Sequence, residues 1–250
     1  VPDLDALIRQ ADLILSILVP SEAAAAARQV ADALRRTGTA PAYADCNAIS
    51  PATVRQVGEI IAAAGGRFID AGIIGGPPGS GEAPRFYASG PHQDILGQLD
   101  GRGIVVRQMG GEVGRASGLK MCYASMTKGT MALYAAVLTV AEALGLSKEL
   151  TAEFEESQAQ RLRAMQGVRT LSAKAFRWVG EMEEIAATYE SAGVTPHIHH
   201  GAAEVFRLIA ESPIGHERPE TIDAARTLEQ TVALFARTAK RRSPKRPDSP

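Results

Sequence analysis

The pattern of elements changes near residue 110, and that change restricts the fold more than anything else in the chain. Before it, short apolar runs alternate with helical stretches; after it, the pattern is helical almost throughout. "ADLILSILVP" is long enough for a buried strand. "SEAAAAARQVADALRRTG" follows as a helix, with Ser21 able to cap it, basic residues in its last turn and Gly38 as its stop. "PAYADCN" is a second strand, and "SPATVRQVGEIIAAAGG" a second helix with Ser50 as cap and Pro51 at its first position. "RFIDAGIIGG" is a third strand, and "PRFYASG" and "GIVVRQMG" are two more, around a short helix near "PHQDILGQL". This order predicts an α/β domain with a doubly wound, parallel, Rossmann-like sheet.

From Ala116 to Leu144 a single apolar helix of about 40 Å is predicted. Further helices follow in "SKELTAEFEESQAQRLRAMQG", "SAKAFRWVGEMEEIAATYESAG", "HHGAAEVFRLIAES" and "PETIDAARTLEQTVALFARTA". The expected organisation is α/β followed by all-α: residues 1–110, a helical domain over 111–237 begun by the long helix, and a disordered basic tail over 238–250.

With 27 basic and 28 acidic residues the net charge is −1, so no overall field favours nucleic acid or an anionic membrane as partner. Apolar runs are broken well short of a bilayer span. Cys46 and Cys122 both lie in apolar sequence and read as reduced thiols of a cytoplasmic protein. No G-x-G-x-x-G occurs: "GGPPGSG" has prolines where a phosphate-cradling helix would begin, and "GGEVG" lacks the spacing.

Lys120 is the unexpected residue, a lysine near the start of the long apolar helix, in "GRASGLKMCYASMTKG". Taken alone it reads as a solvated or snorkelling side chain. Lys128, eight residues on, reads as solvated. Asp45 and Asp70 read as turn-forming carboxylates at strand ends. "PHIHHG" groups His197, His199 and His200 without a cysteine or carboxylate at ligand spacing; it reads as a solvated helix start, and no metal is expected. Arg177 and Trp178 read as part of a charged face over a core tryptophan, or as a guanidinium fork for a carboxylate or phosphate.

Taken in order, these segments resemble the β-hydroxyacid dehydrogenase superfamily, which includes 3-hydroxyisobutyrate and 6-phosphogluconate dehydrogenases. "ADLILSILVP", "DCNAISP", "FIDAGIIGG" and "GRASGLKMCYASMTKG" stand where that family has its "aDvvi" strand, "D-x-S-T-x-x-P", "F-x-D-A-P-V-S-G-G" and lysine-bearing helix. Lys120, Met121, Gly129, Met131 and Leu133 repeat the 6-phosphogluconate dehydrogenase spacing, and the C-terminal part is similar to that of a bacterial subgroup with a distinctive helical domain. The resemblance runs from near residue 5 to near residue 237.

The resemblance implies an NAD or NADP cofactor and hydride transfer to or from a hydroxy acid or similar small polar substrate, with Lys120 as general acid/base. A lysine beside a cationic nicotinamide has its pKa lowered by desolvation and like charge. It implies cofactor contacts at Val19, Pro20, Ser21 and Asn47, and substrate contacts at Asn47, Gly75, Gly76, Tyr123, Thr127, Arg177 and His199. Three departures stand out. Ala124 replaces the usual asparagine, with Tyr123 beside it as a substitute contact. Thr127 replaces the glutamate that serves decarboxylation, and Ile74 replaces the serine of the "S-G-G" turn, making the pocket greasier. Such proteins begin with a strand, the glycine loop, a helix and a further strand before the segment that opens this chain, so the chain is expected to start part-way through a cofactor domain. The alternative is an inactive fragment or a helical dimerisation module. A homodimer is expected, because a helix apolar on nearly every face requires cover from a second copy. As given, the chain is expected to bind NADH and NADPH weakly or not at all; titration showing submicromolar affinity would contradict this.

Overall fold

Residues 3–79 and 81–242 are described by the computed structural model. They form two compact units, one over the described residues up to 124 with Glu184–Pro196, and one of Ser125–Glu183 with residues 197–242. The first unit thus takes in the start of the long helix and a later segment, where the sequence pattern alone suggested a break near residue 110.

In the first unit five strands lie in chain order: β1 (Leu13–Ser16), β2 (Ala42–Asp45), β3 (Arg67–Ile74), β4 (Arg85–Ser89) and β5 (Val105–Gln108). β1–β2, β2–β3 and β4–β5 are parallel, as expected. β3–β4 is antiparallel. The connection between them, rich in proline and glycine, carries no crossover helix, and a parallel return needs one. A helix the sequence pattern did not suggest, α1 (Leu4–Gln10), precedes β1, with the Asp3 carboxylate accepting from the Ala6 N–H at 2.7 Å. α2 (Ala23–Thr37) and α3 (Pro51–Ala62) follow β1 and β2. α2 buries Ala23, Ala27, Val30 and Leu34 at helical spacing and ends on Gly38 at φ +68°. These residues join Tyr43, Ile49, Ile61 and Phe68 in one core. A second core holds Ile69, Phe86, Leu96 and Val106, with Leu96 supplied by α4 (Gln93–Gly97).

α5 runs from Arg115 to Leu144. Its small residues are the buried ones, among them Ala116, Ala124, Ala132 and Ala135 together with Met121, whereas Leu119, Tyr123, Met126, Leu133, Val140 and Leu144 are exposed. Among the described residues the apolar helix is therefore not covered all round.

The second unit continues with α6 (Ser147–Ser157) and α7 (Ala159–Met165). They are broken at Gln158 (φ −147°, ψ 44°), where one uninterrupted helix was expected. α8 (Ser172–Ser191) begins in this unit and ends in the first. α9 (His197–Ala210) and α10 (Leu228–Arg242) complete it. α10 carries the expected tail's residues 238–242 as helix; residues 243–250 lie outside the described part. Phe206 and Phe235 are fully buried, and Trp178 meets Phe206 edge-on with centroids 5.3 Å apart. Arg226 forks onto Glu217 through two 2.7 Å hydrogen bonds, and Ser172 Oγ donates to the same carboxylate at 2.6 Å. Among the described residues no helix is long and apolar enough to cross a membrane.

β3 and α5 are tied by Asp70. Its carboxylate, fully buried, accepts from the N–H groups of Gly114 (2.8 Å), Ala116 (3.1 Å) and Ser117 (3.3 Å). It also accepts from the hydroxyls of Ser117 (2.6 Å) and Ser89 (2.8 Å). A negative group at a helix start satisfies donors that have no partner inside the helix. Asp70→Ala strands the buried N–H groups of Gly114 and Ser117, each worth about 1–3 kcal/mol, while the Ala116 N–H keeps Ser89 Oγ at 3.1 Å, so a loss of at least about 2 kcal/mol is expected in urea denaturation. Asp70→Asn, which keeps one acceptor oxygen, is expected to lose less.

Candidate active site

The carboxyl ends of the first unit's strands carry a row of buried polar side chains. Register pairs Ser16 with Asp45, Asp45 with Asp70, and Asp70 with Ser89. Asp45 and Asp70, read from sequence as turn formers, are 1% and 0% exposed and bind fixed partners instead. Asn47 closes the β1 side of the row. Its Nδ2 donates to Asp45 Oδ2 (2.9 Å) and Ser16 Oγ (3.1 Å), and its Oδ1 accepts from the Leu18 N–H (2.5 Å). Its backbone N–H donates to Asp45 Oδ1 (3.0 Å). Asn47 is 2% exposed, so its amide holds the loop after β1 in place.

That loop presents Ile17 and Leu18, 57% and 49% exposed, at the mouth of the sheet. Val19 then leads into a short turn of 3-10 helix, Pro20–Glu22, where Ser21 is exposed, and α2 begins at Ala23.

Lys120 lies one turn of α5 beyond Ser117. Its Nζ donates to the carbonyl of Ile73, on β3. Gly72 makes this approach possible: a Cβ there would sit 2.9 Å from the Ala116 carbonyl oxygen and 3.1 Å from Lys120 Cβ. Sequence reasoning missed Gly72, whose only signal is a glycine inside an otherwise branched strand. Gly75 adopts φ +124°, a conformation other residues rarely take, and Gly76 is exposed beside it. Ile74 is buried, so its bulk goes to the interior rather than to an open pocket. Cys46 is buried, its thiol pushed up by burial, while Cys122 is exposed despite its apolar sequence neighbours; both are free. Tyr123 is 48% exposed.

A second carboxylate organises this unit from far along the chain. Glu184 accepts from the Ser50 N–H (2.7 Å) and the Thr53 hydroxyl (2.8 Å) at the start of α3.

Thr127, Arg177 and His199 belong to the helical unit. His199 is buried, and its Nε2 meets Ser125 Oγ at 2.8 Å. Burial, and then His200, hold its pKa below the ordinary histidine value. His197 and His200 are exposed as expected, so only His199 departs from a solvated helix start. Lys128 is not solvated: its side chain is 17% exposed, pairs with the buried Glu181 and lies 5.4 Å from the Trp178 ring centroid. Arg177 is half exposed, with Nε 3.6 Å from Glu181. Thr127 is exposed. Among the described residues no group of three or more His, Cys, Asp or Glu is placed to hold a metal ion.

Asp45 has a pH signature. Burial raises its carboxyl from the ordinary 3.8 to about 6, against hydrogen bonds from Asn47 that lower it. The folded chain therefore holds this proton more tightly than the unfolded chain. The stability this contributes is full below the unfolded value and is lost as pH rises through about 6. Asp45→Asn is neutral at every pH. Relative to that variant, the wild type is expected to lose up to about 3 kcal/mol between pH 4 and 7. Urea denaturation across that range checks it; a constant difference between the two proteins would refute it.

Residues 1–98 match the NAD binding domain of 6-phosphogluconate dehydrogenase, and residues 141–209 match a domain of unknown function, DUF1932. A curated relative, an uncharacterized 28.5 kDa protein in the 7S RNA 5′ region of Methanothermus fervidus, is 28% identical over 155 residues. The match covers 62% of this chain and 58% of that protein, so the chain spans less than two thirds of its length. A conserved hypothetical protein from Sinorhizobium meliloti 1021 has a similar structure (TM-score 0.66, 24% identity, 95% of this chain and 78% of that one). A conserved protein of unknown function described as structurally similar to 3-hydroxyacid dehydrogenases gives a TM-score of 0.58 at 28% identity, covering 80% of this chain and 76% of that one. The 3-hydroxyisobutyrate dehydrogenase of Mycobacterium tuberculosis gives 0.61 at 16% identity, covering 97% and 84%. Residues 1–98 are thus similar to the NAD binding domain of 6-phosphogluconate dehydrogenase and residues 141–209 to DUF1932, and the fold is similar to that of the solved 3-hydroxyisobutyrate dehydrogenase-like hydroxyacid dehydrogenases.

Proposed function

We propose that this chain belongs to an NAD(P)-dependent oxidoreductase that transfers a hydride between a nicotinamide cofactor and a hydroxy acid or similar small polar substrate, with Lys120 as general acid/base. The observation that carries this reading is the seating of Lys120: a single amine at the start of an apolar helix, anchored to a strand carbonyl through Gly72's missing side chain.

The residues present fit a nicotinamide cofactor. Ile17 and Leu18 offer an exposed apolar surface at the carboxyl end of β1, where flat rings dock on open parallel sheets. The Val19, Pro20 and Ser21 turn lies beside it. When bound, the nicotinamide supplies or accepts the hydride. Lys120 takes the proton from the substrate hydroxyl and returns it in the reverse direction. The Ile73 carbonyl fixes the amine, so the same donor and acceptor geometry is available in both directions. Asn47 serves by position, holding in place the Leu18 loop that would meet the cofactor. In the first unit the candidate substrate contacts are the exposed Gly75 and Gly76, with Gly75 in a conformation that favours glycine, and the exposed Tyr123; in the helical unit, taken by itself, they are Thr127, His199 and Arg177, whose guanidinium can fork onto an acid group. Thr127 has no proton of useful acidity, which favours oxidation without decarboxylation. The two free thiols suit a reducing cytoplasmic compartment.

The same reading includes a homodimer. Leu119, Met126, Leu133 and Val140 recur every seventh residue along α5, and all four are exposed. Such a stripe suits a helix from a second copy.

In a version of the protein that carries the glycine loop, Lys120→Ala is expected to lower turnover by about 10² to 10⁴ in assays of hydroxy acids with NAD and NADP, the usual worth of a general base. Unchanged turnover would move the role to another residue. Light scattering is expected to report a dimer that Met126→Asp with Leu133→Asp converts to monomer; a stable, well-folded wild-type monomer at micromolar concentration counts against the dimer.

A further inference from the structure

We infer that the helical unit holds a binding pocket for a small molecule bearing an oxyanion, a carboxylate or a phosphate, between the start of α8 and the loop after α9. A cavity of about 520 Å³ opens there, lined by Lys174, Phe176 and Arg177 of α8 and by His216, Glu217 and Arg218 of the loop. That volume suits a small metabolite.

Charge decides the ligand class. Lys174, Arg177 and Arg218 place three fixed positive charges on the wall. Glu217 faces the same space, but its carboxylate is already engaged: both oxygens accept from Arg226 at 2.7 Å, and Ser172 Oγ adds a third bond at 2.6 Å. Its side chain is 10% exposed, and the hydrogen bonds from Arg226 hold its pKa below the ordinary glutamate value. The Glu217 charge is cancelled by Arg226 behind it and does not neutralise the wall. Glu220, which also lines the cavity, is exposed and screened by water.

Arg177 has donors to offer. Its Nε is 3.6 Å from Glu181, longer than a hydrogen bond, and Glu181 is engaged by Lys128. A guanidinium fork in that state matches a carboxylate or phosphate edge. Phe176, 59% exposed at the rim, gives the ligand's carbon skeleton an apolar contact. The ligand is thus an acid with a short apolar body rather than a free cation or a neutral sugar.

As a place for substrate the pocket rests on the hydride-transfer reading; binding of the anion within the helical unit does not require Lys120. The chain's only tryptophan, Trp178, adjoins the site, with Lys174 Nζ 6.0 Å from its ring centroid. A ligand that draws Lys174 away changes the ring's surroundings and its emission.

The test titrates the full chain with inorganic phosphate, and separately with malonate, against potassium chloride at equal ionic strength. Tryptophan emission and calorimetry are both followed. Saturation by either anion in the low millimolar range or below is expected, with Arg177→Gln and Arg218→Gln each weakening it at least about tenfold. Arg218→Gln is the cleaner variant, being exposed and remote in sequence from the tryptophan. Lys120→Ala is expected to bind the anion as the wild type does. A response that potassium chloride reproduces, or one unaltered in both arginine variants, overturns the pocket. Failure of the hydride-transfer reading looks different: turnover unaffected in Lys120→Ala while anion binding persists.

Discussion

The buried carboxylate of Asp70 is the contact on which the first unit's geometry depends. Five donors converge on it, from the β4 side chain Ser89, the loop at Gly114 and the first turn of α5. An ionised group so placed is costly unless every lone pair is used. Here the unpaired N–H groups of a thirty-residue helix supply the partners, so two local liabilities cancel. The same contact sets the site. Gly72 is two residues along the strand from Asp70, and Lys120 is one turn along the helix from Ser117. Registering strand and helix at one carboxylate therefore brings the lysine to the Ile73 carbonyl.

Other polar groups follow the same economy. Asp45 holds Asn47, and Asn47 holds the Leu18 backbone. Glu184 holds the start of α3 across 134 positions of chain. In the helical unit Glu217 is gripped by Arg226 and Ser172, and Glu181 by Lys128. Asp45, Asn47, Glu184 and Glu217 fix helix starts or loops, and the Glu181–Lys128 pair joins the middle of two helices, so each of these groups has a polar partner.

Strands and helices were legible wherever periodicity and punctuation agreed, as in β1 to β5 and in α2, with its glycine stop. The break at Gln158 was not legible, because no proline or glycine marks it and α6 and α7 share one polar composition. The antiparallel turn of β4 had a signal in "GGPPGSGEAP", a connection with no helical period, but strand direction is not written in strand composition. Lys120 was legible only through the motif around it. Asp70, Gly72 and Ser125 were not, since burial of a carboxylate, absence of a methyl group and a serine's partner depend on residues distant in sequence. Lys128 misled for the same reason: its counter-ion lies 53 positions away.

The stripe on α5 has a consequence for handedness. Seven residues of a straight α-helix complete about 700°, roughly 20° short of two turns. From Leu119 to Val140 the exposed row therefore slips about 60° around the helix axis. Any helix that keeps contact with the whole row has to follow that slip, and the two would wind about each other as a shallow left-handed rope.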